Sequence, residues 1–279
     1  MANLFPQTPA EQADRFFTQA MEWLRAGSLQ AARQLLERAV QLNAGEGRPV
    51  PEGYARLALG RVWLELGEPN TARGELELAA ARLGAAGDPD GQVRVLFELG
   101  ELAEREGDRA AAQSSFQQVL SLDRDGADAA LAHLRLAALF RDAGEPEAAA
   151  AQYASAASLF AATGNELGEA RASLEEARLL AATQPDRART LFERGRAIAE
   201  AYAQDELASV AHLGLAGLER GLAARRAHLA KARSLARDAG DEATLAKVQT
   251  AELAQAETAV DHAIHPSPVA PDRVEDEEP

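Results

Sequence analysis

The chain contains no cysteine. Disulfides, thiolate nucleophiles and cysteine-ligated metals are therefore excluded, and a reducing compartment is compatible. Aromatic residues are scarce, at 5%, although apolar residues reach 47%. Alanine supplies much of that content, and small side chains suit closely packed helices better than a thick sandwich of sheets. No stretch has the roughly 20 apolar residues that span a bilayer. The opening "MANLFPQTPAEQ" lacks the basic segment and apolar run of a signal peptide. A cytoplasmic location is expected. Positive charge is also short: 29 Lys and Arg stand against 44 Asp and Glu, for a net −15. Such a surface as a whole gains no counterion release from nucleic acid or anionic lipid, so neither is an expected partner.

Catalytic signatures are missing too. There is no glycine-rich phosphate loop with a lysine, no dinucleotide fingerprint and no His-Glu-x-x-His pair. "LDRDGAD" places Asp123, Asp125 and Asp128 around Gly126. The glycine comes too early for a calcium loop and no bidentate glutamate follows, so an inter-repeat turn with a capping aspartate is expected. His262 and His265 are three apart, but Pro266 ends the helix there and no further ligand is near in sequence. His133 and His212 fall on first helices of their pairs, where packing or surface roles are commonest. No catalytic residue, cofactor or metal site is predicted, and the chain is not expected to be an enzyme.

What is present is a repeat. Gly27, Gly67, Gly107 and Gly144 each end one helical pattern and precede another, at intervals of 40, 40 and 37. Gly221 follows 77 residues later, with the break "AATQPDRA" midway. Glycine accepts the left-handed conformation that ends a helix, and proline is tolerated in the first turn of the next. "LELGEPNTARGELELAA" and "LFRDAGEPEAAAAQYASAA" thus read as stop, turn, start. Ser28 and Asp108 are candidate N-caps. Ala32, Ala72, Ala112, Ala149 and Ala188 fall five residues after each turn position, and Ala39, Ala79 and Ala156 seven further on. Leu36, Leu76, Phe116, Tyr153 and Phe192 lie between them. Gly60, Gly100 and Gly214 share one offset before their turns. Small residues there let paired helices approach, with the large ones expected to fill the gap to the neighbouring hairpin.

This pattern resembles the tetratricopeptide repeat family over residues 9–239, strongest in the first four units. The period is longer than the usual 34 or so residues, as in the longer-repeat superhelices of some bacterial regulators. Any antiparallel helical array is the alternative; the joint recurrence of alanine and glycine offsets favours the family. The resemblance implies an all-α, right-handed superhelical solenoid. Helices are predicted at 9–26 and 29–43, 52–66 and 69–86, 90–106 and 109–122, 127–143 and 146–163, 166–182 and 185–203, and 205–220 and 223–239. Residues 1–8 form a flexible start, 240–263 a capping helix, and 264–279 a disordered acidic tail.

In this family the first helix of each hairpin lines a concave groove that binds peptides or protein segments. By helix face, the groove residues would be Phe17, Met21, Tyr54, Leu57, Arg61, Leu64, Arg94, Phe97, Arg105, Leu134 and Arg141. Phe17, Leu57 and Phe97 can equally pack against the next hairpin. None of these positions is the lysine or asparagine with which the family clamps acidic C-terminal carboxylates, which argues against that mode. Arg61, Arg94, Arg105 and Arg141 would form a basic track for an acidic segment. From Arg220 to Arg237 there are six basic residues and no acidic one; Arg226, Arg233 and Arg237 share a face. They either pair with the acidic helix that follows or dock an anionic partner. The expected function is a noncatalytic adaptor for a protein or peptide. A regulatory solenoid that senses a ligand and signals, for example to transcription, is the second reading, and a hydrolase using groove carboxylates the third.

Overall fold

A computed structural model describes residues 8–264, with side chains through 256. The expected flexible start and acidic tail lie outside the described residues, apart from Thr8 and Ile264. The described residues contain helices and turns but no strand. The chain divides into two compact units at Asn165 and Glu166. Unit 1 holds α1 (Pro9–Arg25), α2 (Leu29–Gly45), α3 (Pro49–Glu65), α4 (Pro69–Ala85), α5 (Pro89–Glu106), α6 (Arg109–Leu122), α7 (Ala127–Asp142) and α8 (Pro146–Ala162). Unit 2 holds α9 (Glu166–Leu180), α10 (Pro185–Ala201), α11 (Asp205–Leu218), α12 (Leu222–Ala239) and α13 (Glu242–Ile264). Within each unit every helix packs on the one before and the one after it. This is a solenoid of consecutive antiparallel hairpins.

The first six helices begin at 9, 29, 49, 69, 89 and 109. The 40-residue interval in the sequence is therefore two helices and two turns. Gly47 and Gly87, between hairpins, have φ of 63° and 69°, as left-handed as Gly27 and Gly67 at 75° and 80°. Each turn with a left-handed glycine closes in one way. Gly27 N–H donates to Leu24 O and Ser28 N–H to Trp23 O; Gly67 and Glu68 repeat this to Leu64 and Trp63. These bonds satisfy carbonyls that a helix end leaves unpaired. Proline then opens α1, α3, α4, α5, α8 and α10. α3 starts three residues earlier than expected because Pro49 and Pro51 both fit its first turn, where no intrahelical N–H is needed. Asp108 caps α6 through Ala111 N–H at 3.0 Å, but the Ser28 side chain makes no capping bond. α6 is short, and the turn after it has no left-handed glycine, Gly126 standing at φ −90°. Asp123 organises it instead, accepting from Gly126 N–H at 2.9 Å and Ala129 N–H at 3.0 Å. That accounts for the interval of 37.

The recurring alanines Ala32, Ala72, Ala112, Ala149 and Ala188 are all fully buried. The glycines show where the helices touch. A Cβ on Gly60 would lie 2.8 Å from Leu76, and one on Gly100 2.7 Å from the Phe116 ring. The large residue therefore fills the space opposite the glycine of its own hairpin in α3–α4 and α5–α6, not the gap to the next hairpin. Unit 2 follows the expected rule instead: Phe192 of α10 presses on Gly214 of α11.

Where eight turns place a glycine at positive φ, the turn after α10 places Ala203 at φ 51°. An L-residue pays about 1–2 kcal/mol there through its Cβ. Ala203→Gly is expected to stabilise unit 2 by about 1 kcal/mol despite the looser unfolded chain. A thermal melt unchanged or lowered by this substitution would contradict the strain.

Several buried carboxylates hold an arginine partner. Glu52 is 3% exposed and accepts from Arg56 Nε at 2.9 Å and Arg82 Nε at 3.1 Å; Arg56 Nη1 also reaches Glu75 at 2.7 Å. In unit 2, Glu169 pairs with Arg194 and Glu176 with Arg187. Burial pushes the Glu176 carboxyl above its ordinary range, against the pull of Arg187.

His212, on α11, is likewise buried. Its Nδ1 lies 2.9 Å from Nδ1 of His228 on α12, and its Nε2 3.3 Å from Glu200 on α10. A neutral His212 that donates from Nε2 and accepts at Nδ1 satisfies both contacts. Burial lowers its pKa below the ordinary 6.5, outweighing the bond to Glu200. As pH falls, the unfolded chain takes up the proton first. The stabilisation is therefore complete above about pH 6.5 and is lost as pH falls through the folded value. The protection of α11 amides, relative to their intrinsic exchange rates, is expected to fall in that window, and His212→Gln to flatten the dependence. Equal pH profiles for the two proteins would remove His212 from the account.

Candidate functional site

In unit 1 the first helices of three successive hairpins enclose a hollow of about 480 Å3, lined by Asp14, Phe17, Thr18, Pro51, Tyr54 and Arg94. Phe17 comes from α1, Tyr54 from α3 and Arg94 from α5. The aromatic rings are half-buried and partly solvent-facing. The Arg94 guanidinium carbon lies 6.0 Å from the Tyr54 ring centroid, a stacking distance. Burial first, then a hydrogen bond to Asp88 and its charge, raises the Tyr54 hydroxyl pKa above 10.0. The phenol therefore stays neutral at physiological pH. Asp88 also caps α5 through Gly91 N–H at 2.9 Å, so one carboxylate anchors the turn and orients Tyr54. At the other rim Asp14 pairs with Arg48 at 3.0 Å, and Arg48 also donates to Asn43 Oδ1 at 3.0 Å. Chemically the hollow offers two aromatic surfaces and a guanidinium: a place for an apolar side chain beside an anionic group.

The other expected groove residues have varied environments. Met21 is half-buried with Phe17 against the core of the first hairpin. Leu57 is 4% exposed and closed into the core with Leu76 and Leu83, so it is unavailable to a partner. Leu64 is half-buried against that same core. Phe97 packs on Phe116 with centroids 5.6 Å apart. Leu134 is half-buried on α7. The four arginines differ as well. Arg61 is paired with Glu98 at 2.6 Å. Arg141 is paired with Asp142 at 2.9 Å and donates toward the Tyr153 hydroxyl. Arg105 is exposed in the last turn of α5. Only Arg94 is at the hollow.

Asp14, Thr18 and Pro51 were not singled out from the sequence. Asp14 and Thr18 flank Phe17 at helical spacing on α1, so extending that face by one turn would have found them. In unit 2, Arg233 is paired with Glu252 on α13, as the pairing alternative anticipated. Arg226 lines a smaller hollow of about 210 Å3 with Leu229, Glu252 and Gln255, and Arg237 is exposed in the last turn of α12. His133 approaches Gln152 at 2.6 Å and lies outside the hollow. Among the described residues, no group of three or more His, Asp or Glu is placed to hold a metal ion. No described helix is long and apolar enough to cross a membrane.

Residues 93–125 match the family model of the tetratricopeptide repeat. No curated protein matches the sequence. Solved structures similar to the chain include the apo form of the quorum sensor NprR from B. thuringiensis. It is 14% identical, with 91% of this chain and 73% of that one covered and a TM-score of 0.64. The apo form of RapI is 12% identical, covering 89% and 99%, with a TM-score of 0.62. TPR-like repeats of a putative kinesin light chain from Podosopora anserina are 20% identical, covering 71% and 99%, with a TM-score of 0.55. At these identities the likeness is one of fold: a helical-hairpin solenoid of the tetratricopeptide-repeat type.

Proposed function

From that fold we propose that the protein is a noncatalytic, cytoplasmic adaptor that holds a segment of a protein or peptide against the first helices of unit 1. The observation that carries this reading is the hollow bounded by Phe17, Tyr54 and Arg94, three groove positions from three hairpins. An apolar side chain of the partner enters between the rings, where aromatic surface gives the largest return in buried area. An acidic residue beside it pairs with Arg94, which the Tyr54 ring holds in place. In a chain of net charge −15, that cation gives the partner its polarity and makes association sensitive to salt.

The test is affinity capture by the full chain and by Tyr54→Ala and Arg94→Glu. The main partner is expected to be lost from both variants while their melting curves stay close to the original. Capture that survives both substitutions places the binding surface elsewhere. A second reading, a regulatory solenoid that senses a ligand, is favoured by the likeness to the apo forms of a quorum sensor and of RapI. A thermal-shift screen with short peptides separates the two: a sensor is stabilised by one small ligand, whereas an adaptor needs the partner segment.

A further inference from the structure

α13 is more than an end cap. It packs on α12 and also reaches α11, just as α11 packs on α10 and reaches α9. It therefore takes the place that the first helix of another hairpin would occupy, and it extends the inner face of unit 2 by one helix. Between these three helices lies a hollow of about 170 Å3 lined by Val210, Leu213, Arg178, Thr244 and Lys247, together with Gly214. Its apolar lining comes from α11. Its two cations come from either side, Arg178 from α9 and Lys247 from α13.

Both cations keep donors to spare. Arg178 uses Nη1 on Glu175 at 2.9 Å, leaving further N–H groups of its five. Lys247 is exposed and forms no salt bridge among the described residues. Asp241 feels its charge. That carboxylate already accepts from Thr244 N–H at 2.9 Å at the start of α13. The volume is little more than a third of that of the aromatic hollow in unit 1. It has room for one side chain.

We infer that this hollow is a second anchoring site, which takes the carboxylate side chain of an acidic peptide between Arg178 and Lys247, its methylenes against Val210 and Leu213. The charge complementarity decides the occupant. Acidic side chains outnumber basic ones in this chain by 44 to 29, and here two cations from different helices face one small hollow. The site is independent of the aromatic hollow and does not rest on the function proposed for it.

The probe is a fluorescent hexaglutamate peptide, acetylated and C-terminally amidated so that its only carboxylates are on side chains. Anisotropy titrations with the full chain are expected to show binding at low ionic strength that fades as salt is added. Arg178→Met and Lys247→Met, which keep the apolar stems, should each weaken it about tenfold, and Lys247→Arg should retain it. Arg124→Met, on the turn after α6, should leave it unchanged. In the unaltered protein the Val210 and Leu213 methyl resonances should shift on titration. Absence of binding overturns the inference, as does equal weakening by Arg124→Met, which would mean diffuse attraction. Loss on Arg94→Met without loss on Lys247→Met also overturns it, and assigns the peptide to unit 1.

Discussion

Phe116→Ala is expected to destabilise unit 1 by about 3–5 kcal/mol, the range for deleting a fully buried aromatic ring. The ring has no solvent exposure. It lies on Gly100 of the paired helix and stacks at a tilt of 58° on Phe97. No neighbour can collapse into the space easily, because the facing residue has no side chain to extend. The reciprocal change, Gly100→Leu, should cost about 1–3 kcal/mol by overpacking. Gly100→Ala is the informative intermediate. It gains about 1 kcal/mol of helix propensity but sets a Cβ 2.7 Å from the ring. Combined with Phe116→Leu, Gly100→Ala should become neutral or favourable, since the clash is with the ring. Urea denaturation with hydrogen exchange across α5 and α6 reads all four proteins. If Phe116→Ala costs under about 1 kcal/mol, well below that range, the ring is not what joins this hairpin.

Arg56→Met should be nearly as damaging, at about 3 kcal/mol, the lower part of the range for breaking a buried ion pair from one side. Arg56 is only 14% exposed and bridges Glu52 and Glu75. Without it Glu52, buried on α3, keeps only Arg82, whose side chain is 50% exposed. The loss comes from a buried carboxylate stripped of its closest cation, so the double variant Glu52→Gln, Arg56→Met should recover most of it. A double variant as unstable as Arg56→Met alone would show that the arginine acts through its stem instead.

Much of the fold is visible in the sequence because its determinants are local. Each stop needs a residue that tolerates positive φ, and each start accepts proline, so Gly67-Glu68-Pro69 announces a turn without reference to the rest of the chain. Gly47 and Gly87 follow the same rule, at half the interval that the repeating alanines mark. Asp123 could not be assigned in advance, because three aspartates share that turn and only the backbone path selects one. The hollow was harder. Phe17, Tyr54 and Arg94 were found by carrying one helix face across hairpins. Leu57 lies on the same stretch of α3 yet turns into the core. A difference of three residues on a helix is a rotation of about 300°, and which side of that rotation is open depends on the neighbouring helices. The pairing of Arg61 with Glu98, 37 residues away in the sequence, is likewise a product of how two hairpins meet.

The turns of the first six helices recur every twenty residues, while their contacting side chains recur every forty. The chain therefore carries two nested periods, and they do different work. The turn is a generic joint, indifferent to which helix comes next. Identity is written in the alternation of a helix bearing a glycine notch, at Gly60 or Gly100, with a helix bearing the large residue that fills it, Leu76 or Phe116. A length of chain added or removed in steps of forty keeps notch and filler in phase. A step of twenty leaves every joint intact and sets like against like. The molecule's grammar thus permits growth by pairs and forbids it by single helices, although nothing at the level of the backbone tells the two apart.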